Sequence, residues 1–326
     1  MELHTPVSLH PAFPHQTICP PRCALGENPV WCEKTGEFFW TDILGGSIYA
    51  CNPSGKETRT VIRTEFQTGA FLFTKNWNLL IFAETGLYLS PPVSRQKELQ
   101  QSELQLFAPL SFSPGERFND AICDPYGFLL AGVKKNDDRG GRLLRFSPNG
   151  SSETVMTGLR ISNGMGFSPD GTTFYHTDSG FGTITAYPYG SSGISGEGRC
   201  IYQSPDAARV PDGMTVAENG HLFFAEWGGF RIVELIPSGQ AVKDYPLPAA
   251  QVSSVCFGGA AYRQLFATSA YIGEDAPASD SSSEKKTDFA SLTETGDQVS
   301  AAGVSFLLSD VASGKPEYLP DLSPKL

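Results

Sequence analysis

The sequence predicts an all-β protein, a six-bladed β-propeller. Three observations carry that expectation: a strand phrase recurs six times at near-even spacing, turn-forming residues are dense, and little of the chain has a helical period. The phrase is a polar turn followed by an apolar strand that ends in a small or acidic residue. Its copies read TGEFFWTD (from Thr35), NWNLLIFAE (from Asn76), YGFLLAG (from Tyr126), DGTTFYHTD (from Asp170), NGHLFFAE (from Asn219) and YRQLFATS (from Tyr262). Anchored at Phe38, Leu80, Phe128, Phe174, Leu222 and Leu265, the copies lie 42, 48, 46, 48 and 43 residues apart. A strand repeat of that period is the signature of a propeller, one four-stranded blade per repeat. The 34 glycines and 24 prolines among 326 residues supply the many short turns such a ring needs.

The elements follow in order. Residues 1–18 read as an irregular arm or a strand that closes the ring. Blade segments then run in register, and GRLLRFSPNG and FRIVELIPSG read as strand followed by turn. A Gln- and Ser-rich connection between Leu89 and Pro114 fits a strand pair with a loop. Asp170-Gly171 and Asn219-Gly220, directly ahead of strands, read as hairpin turns. Residues 273–303 are rich in Ser, Asp, Glu and Lys and nearly free of large apolar side chains, so a mobile surface loop is expected there. The segment VSFLLSDV after it is a strand that completes the last blade. Residues 1–326 are expected to form a single domain.

Composition narrows the function. The net charge is −11 with no Lys/Arg cluster, which argues against nucleic acid and against an anionic membrane surface. No apolar run has the length of a membrane span, and the N-terminus lacks a secretory pattern. Seven scattered cysteines suit a reduced, cytoplasmic protein. Cys19 and Cys23 have no second Cys/His pair to complete a zinc site.

The repeat also aligns polar residues. Nine to eleven positions ahead of the anchors stand Glu27, Asn119, Asn163, Asp212 and Ser254. Equivalent repeat positions share radius and height, so these residues are expected just before the innermost strands, at one mouth of the central channel. Two carboxylates and two amides suit a hard divalent cation, Ca²⁺ or Mg²⁺. His4, His10, His15, His176 and His221 fall elsewhere in the repeat, which argues against His-ligated zinc. Taken singly, Asn163-Gly164 and Asp212-Gly213 read as β-turns, and Glu27 as a solvated loop charge; their shared phase favours a site. No nucleophile elbow, P-loop or dinucleotide fingerprint is present.

The phrases LGENPVW, RFNDAICDPYGFLLAG, ISNGMGFSPDG, VPDGMTVAENGHLFFAEWGG and VSSVCFGG, from about Cys23 to Ala270, resemble the SMP-30/gluconolactonase family of lactone-hydrolysing and luciferin-regenerating enzymes. The resemblance implies a six-bladed propeller with one divalent metal in the channel, Ca²⁺ first and Mg²⁺, Mn²⁺ or Zn²⁺ as alternatives. By motif it implies Glu27, Asn163 and Asp212 as metal ligands, Asp212 also as catalytic base, and Arg117 and Asn119 as holders of substrate hydroxyls. Asp137 falls where some members place a substrate-binding acid. The usual AGTM phrase reads AGVKK here: at the same mouth as Asn119, Lys134 and Lys135 would join the substrate lid, to meet an acidic substrate or to pair with Asp137 and Asp138, and otherwise both read as solvated loop lysines. The segment after Gly273 is longer than the family's.

The function implied is metal-dependent hydrolysis of a sugar-derived lactone, a small-molecule substrate, by a monomer or weak homo-oligomer. A propeller esterase or phosphotriesterase and a non-enzymatic calcium-binding regulator are the alternatives.

Overall fold

The computed structural model describes residues 12–18, 21–135, 140–271 and 302–322. Among these there is no α-helix, and hence none long and apolar enough to cross a membrane. The strands form six antiparallel sheets. Their first strands are Gly26–Cys32, Thr68–Phe73, Glu116–Cys123, Ser162–Phe167, Val210–Val216 and Val252–Gly258. Each first strand contacts the first strand of the next sheet, and the sixth contacts the first, so the six line a closed ring around an axial channel. This is the six-bladed β-propeller that the repeat predicts.

Blade composition follows from packing on both faces. The second strands EFFWTD and NLLIFA are almost wholly buried because adjacent blades cover both of their sides. One apolar cluster fills each gap. Between the first and second blades, for example, Phe39, Ile48, Phe71, Phe73 and Ile81 interlock. Aromatic edges meet faces there, as in Phe39 against Phe73, with centroids 5.0 Å apart.

The ring closes through both ends of the chain. Strand Gln16–Ile18 pairs with Ser305–Ser309, which in turn pairs with Gln264–Ser269, so the last blade takes its outer strand from the N-terminal side. Residues 1–11 of the expected arm, and all of the expected 273–303 loop except Ala302 and Gly303, lie outside the described residues. The Gly303 carbonyl accepts a hydrogen bond from the Cys23 N–H at 2.7 Å. After the final strand the chain crosses the underside of the ring. Leu319 packs into the gap between the first two blades, and Tyr318 packs edge-on against Phe167 of the fourth.

One expectation needs correction. The recurring phrase lies on the second strand of each blade, not the innermost: Phe38, Leu80, Phe174, Leu222 and Leu265 sit in second strands, and Phe128 immediately precedes one. Glu27, Asn119, Asn163, Asp212 and Ser254 therefore stand within the innermost strands rather than ahead of them. The phrase is legible because the second strand is buried and largely apolar, whereas the equally buried innermost strands carry the polar residues of the site.

The hairpin turns do form between first and second strands. At Asp170-Gly171, the Asp170 carboxylate accepts from the Thr172 N–H and from the Ser168 hydroxyl, and Gly171 takes a positive φ of 71°. Asn219-Gly220 repeats the arrangement, with Asn219 accepting from the His221 N–H. Cys32, Cys51, Cys123, Cys200 and Cys256 are free thiols.

Candidate active site

The innermost strands carry the site because each is broken at the same height. In all six blades the pairing of first and second strand slips, at Glu27/Val30, Thr68/Ala70, Phe118/Asp120, Asn163/Met165, Pro211/Met214 and Val252/Ser254. A bulge puts extra residues on one strand and re-aims the side chains there. Asn119, Asp212 and Ser254 lie in or beside the slip, and Glu27 and Asn163 open it.

The bulges also explain the glycines. Asn163-Gly164 and Asp212-Gly213 are not turns, and neither glycine has a positive φ. They are small because neighbouring strands pass too close for a side chain. A Cβ on Gly164 would stand 2.3 Å from the Asp212 carbonyl oxygen, and one on Gly213 would stand 2.0 Å from Ser254 Oγ. Gly164→Ala is therefore expected to force the fourth and fifth blades apart at the site and to cost about 1–3 kcal/mol of stability. Gly190→Ala, with nothing within 4 Å of its Cβ, is the control. Equal denaturation midpoints for both variants would refute the close-approach explanation.

The acidic ends of the repeated phrase hold the segments that lead into these strands. Asp42 accepts from the N–H groups of Ala24 and Leu25 at 3.1 and 3.0 Å, directly ahead of Glu27. Asp178 accepts from Arg160 and Ile161, both at 3.0 Å, directly ahead of Asn163.

The site is a buried carboxylate well. Glu27, Asn163 and Asp212 are each no more than 6 % exposed. The Asn163 amide Nδ2 donates to Asp212 Oδ1 and, at 3.1 Å, to Ser179 Oγ. Ser179 Oγ in turn donates to the Pro211 carbonyl at 2.7 Å. Burial, then the charges of Asp212 and Asp120, hold the Glu27 carboxyl well above the usual carboxylate range. Burial and Asp120 do the same for Asp212, against the pull of Lys134, Arg117 and the Asn163 amide. Arg117 lies within the field of both carboxylates; burial pulls its guanidinium down to about 10, so it is charged at neutral pH. Its Nη1 donates to the Phe118 carbonyl at 2.7 Å. Asn119 Nδ2 donates to the Ser162 carbonyl at 3.1 Å, which ties the third blade to the fourth.

One atom in this well has no partner. Asn163 Oδ1 is buried and accepts no hydrogen bond among the described residues. An orphaned carbonyl oxygen in a well whose two carboxyls are both held above their usual range is an oxygen-lined cradle in which negative charge outweighs positive. These donors fit a hard divalent cation: Glu27, Asp212 and Asn163 Oδ1 would be the protein oxygens that hold it. Among the described residues no three His, Cys, Asp or Glu side chains form a metal-binding group, so the amide is needed to complete the set.

Of the residues expected at the site, the structure brings Glu27, Asn163, Asp212 and Arg117 together, with Asn119 at their edge. Ser254 lines the channel cavity with Asn28, Asp120 and Glu317. Asp137 and Asp138 lie outside the described residues. The two lysines part company. Lys134 faces Arg117 across the strand pair, within the field of Asp212, while Lys135 faces Glu116, which Arg142 holds at 2.6 Å on the other side of the blade.

Asp120 is the functional candidate that sequence reasoning missed. It lines the channel cavity, and burial pushes its carboxyl up to about 7, with Glu317 adding to the effect. Its signal lay next to Asn119 in the RFND phrase, but the strand alternation that would place it on the opposite face is overridden by the bulge.

Residues 25–271 match the sequence profile of the SMP-30/Gluconolactonase/LRE-like region. The pentonolactonase XacC of Haloferax volcanii is 33% identical over 302 residues, 92% of this chain and 96% of that protein. The 6-deoxy-6-sulfogluconolactonase of Pseudomonas putida is 29% identical, covering 75% of this chain and 83% of that one. Among solved structures, a calcium-binding protein, regucalcin, from Agrobacterium tumefaciens superposes with a TM-score of 0.78 at 23% identity, over 95% of this chain and 98% of that one, a likeness of fold.

Proposed function

The chain belongs to the SMP-30/gluconolactonase/LRE-like family, and from that premise we propose that it is a divalent-metal-dependent lactonase acting on a sugar-derived lactone. The observation that carries the metal half is the unpartnered, buried Asn163 Oδ1, on the amide that donates to Asp212, whose charge in turn acts on Glu27. The lactone half draws on relatives that are themselves named as lactonases of pentonic and sulfo-sugar acids.

Glu27, Asn163 and Asp212 would hold the divalent ion, which would supply Lewis acidity to polarise a carbonyl and offset the charge of the carboxylates that bind it. The rest is done by this chain's own residues. Asn163 fixes Asp212 through Oδ1, leaving Oδ2 to act as general base. Oδ2 takes a proton from water as the water oxygen bonds to the lactone carbonyl carbon. The ring C–O bond then breaks, and the same proton passes to the departing ring oxygen, giving the open hydroxy acid. Burial and Asp120 raise the proton affinity of Asp212 while Lys134 and Arg117 lower it, so the group can both accept and release a proton. Arg117 donates to the substrate's hydroxyls or ring oxygen, and Asn119 fixes its orientation.

Arg117→Ala is expected to act mainly on substrate binding: KM rises several-fold or more while the ion still binds. An unchanged KM would remove Arg117 from the substrate site. The function itself is tested by following acid release from aldono- and pentonolactones, with simple esters and a phosphotriester alongside. Turnover of the lactones well above the other two classes supports the reading. Faster turnover of the phosphotriester or esters overturns it.

A further inference from the structure

The charge of the well bears on which lactone it takes. Arg117 and Lys134 are directly opposed in the antiparallel pairing of strands Glu116–Cys123 and Leu129–Lys135. Opposed residues project from the same face, and their neighbours from the other. Phe118 and Val133, the next opposed pair, are fully buried in the gap between the second and third blades. Glu116 and Lys135, the pair before, project to that same side, where Glu116 binds Arg142 through two hydrogen bonds of 2.6 and 3.2 Å. Arg117 and Lys134 therefore project together away from the core, towards the channel mouth.

Lys134 is only half-buried there and has no ion pair among the described residues. The charge of Arg117 repels it and that of Asp212 attracts it. Two cations side by side at the rim of a pocket repel unless something negative comes between them. With a divalent ion seated, the described charges of the well are three carboxylates (Glu27, Asp120 and Asp212) against Arg117, Lys134 and the two charges of the ion. The balance is one positive charge. A neutral lactone brings nothing to offset that charge.

We propose that the preferred substrate is a sugar lactone bearing a second, anionic substituent, and that Lys134 beside Arg117 receives this substituent. The inference rests on the lactonase reading above and names the substrate class of that same site. The lactone carbonyl lies over Glu27, Asn163 and Asp212, and the anionic end of the sugar points to the rim. Lys134 is the specificity-determining residue, and Lys135, on the far side of the blade, takes no part.

The test uses matched pairs that differ in charge: D-glucaro-1,4-lactone against D-glucono-1,4-lactone for a carboxylate, and 6-phospho-D-glucono-1,5-lactone against D-glucono-1,5-lactone for a phosphate. The ratio of kcat/KM, anionic over neutral, is measured in the wild type and in Lys134→Met, Lys134→Arg and Lys135→Met. The wild type is expected to prefer the anionic member of at least one pair. Lys134→Met is expected to shrink that ratio about 10-fold or more, the size of a lost charge-assisted hydrogen bond. Lys134→Arg retains most of the preference, and Lys135→Met leaves it as in the wild type. Whichever pair shows the preference identifies the anion. A wild type without preference in either pair, or a Lys134→Met variant that keeps it, overturns the proposal. Should no lactone be hydrolysed with any ion, the lactonase reading falls by itself. The γ-lactone pair then serves as ligands in calorimetry, where the same loss of anionic preference in Lys134→Met, or its persistence, decides the role of the lysine.

Discussion

Asp212→Asn is expected to lower lactone turnover by about 10²-fold or more, the usual contribution of a general acid–base group. The substitution keeps the shape and one oxygen ligand, and removes one negative charge and the proton acceptor. The packing around it should tolerate the change: the Asn163 amide can still donate to the new amide oxygen, and Gly213 and Gly164 keep the strands close. Folding and blade geometry are therefore expected to persist, and the loss to fall on kcat. Steady-state kinetics with the ion in excess, beside an ion-binding measurement on the same variant, separates the roles. Wild-type turnover in a variant with the ion bound would mean that another group activates the water, and Asp120 would be the next candidate.

A comparably large effect is expected on stability. Glu27 and Asp212 are raised well above the ordinary carboxylate range by burial and by neighbouring carboxylates, and Asp120 is pushed up to about 7 by burial. A carboxyl whose folded pKa exceeds its unfolded value of about 4 holds a proton in the folded state that the unfolded chain releases. Ion-free protein should thus lose stability as pH climbs from about 4 through those raised values. Ion binding needs the carboxylates deprotonated, so affinity grows over the same window. Adding Ca²⁺ at a hundred times its Kd should stabilise the protein by about 2.7 kcal/mol. At a fixed Ca²⁺ concentration the gain in Tm should be larger at pH 8 than at pH 5. A Tm that ignores Ca²⁺, Mg²⁺, Mn²⁺ and Zn²⁺ at both pH values would argue against an ion in this well.

Much of the ring was legible because propellers repeat. The six apolar second strands recur at near-constant spacing, and that periodicity sufficed to count the blades and to bring Glu27, Asn163 and Asp212 into one phase. What the spacing could not supply was the register between strands. A bulge is a count of two residues against one, visible only when the partner strand is known. The sequence therefore placed the site residues ahead of the innermost strands when they stand within them, and Asn163-Gly164 and Asp212-Gly213 resembled turns. The same limitation hid Asp120. Lys134 and Lys135 were indistinguishable in sequence for a related reason: adjacent strand residues differ only in the face they take, and that face is set by pairing with Arg117 and Glu116. The underside crossing by Tyr318 and Leu319 has no repeat to betray it.

The most direct measurement of metal-dependent lactone hydrolysis is turnover by protein stripped with a chelator and then restored with single ions. Chelated protein is assayed on a panel of sugar lactones, and again after addition of Ca²⁺, Mg²⁺, Mn²⁺ or Zn²⁺. Hydrolysis should fall to background without the ion and return with at least one of the four, and in Glu27→Gln the same recovery should require a higher ion concentration. Full-rate hydrolysis by the chelated protein, with the well shown to be free of metal, would contradict a metal-dependent lactonase.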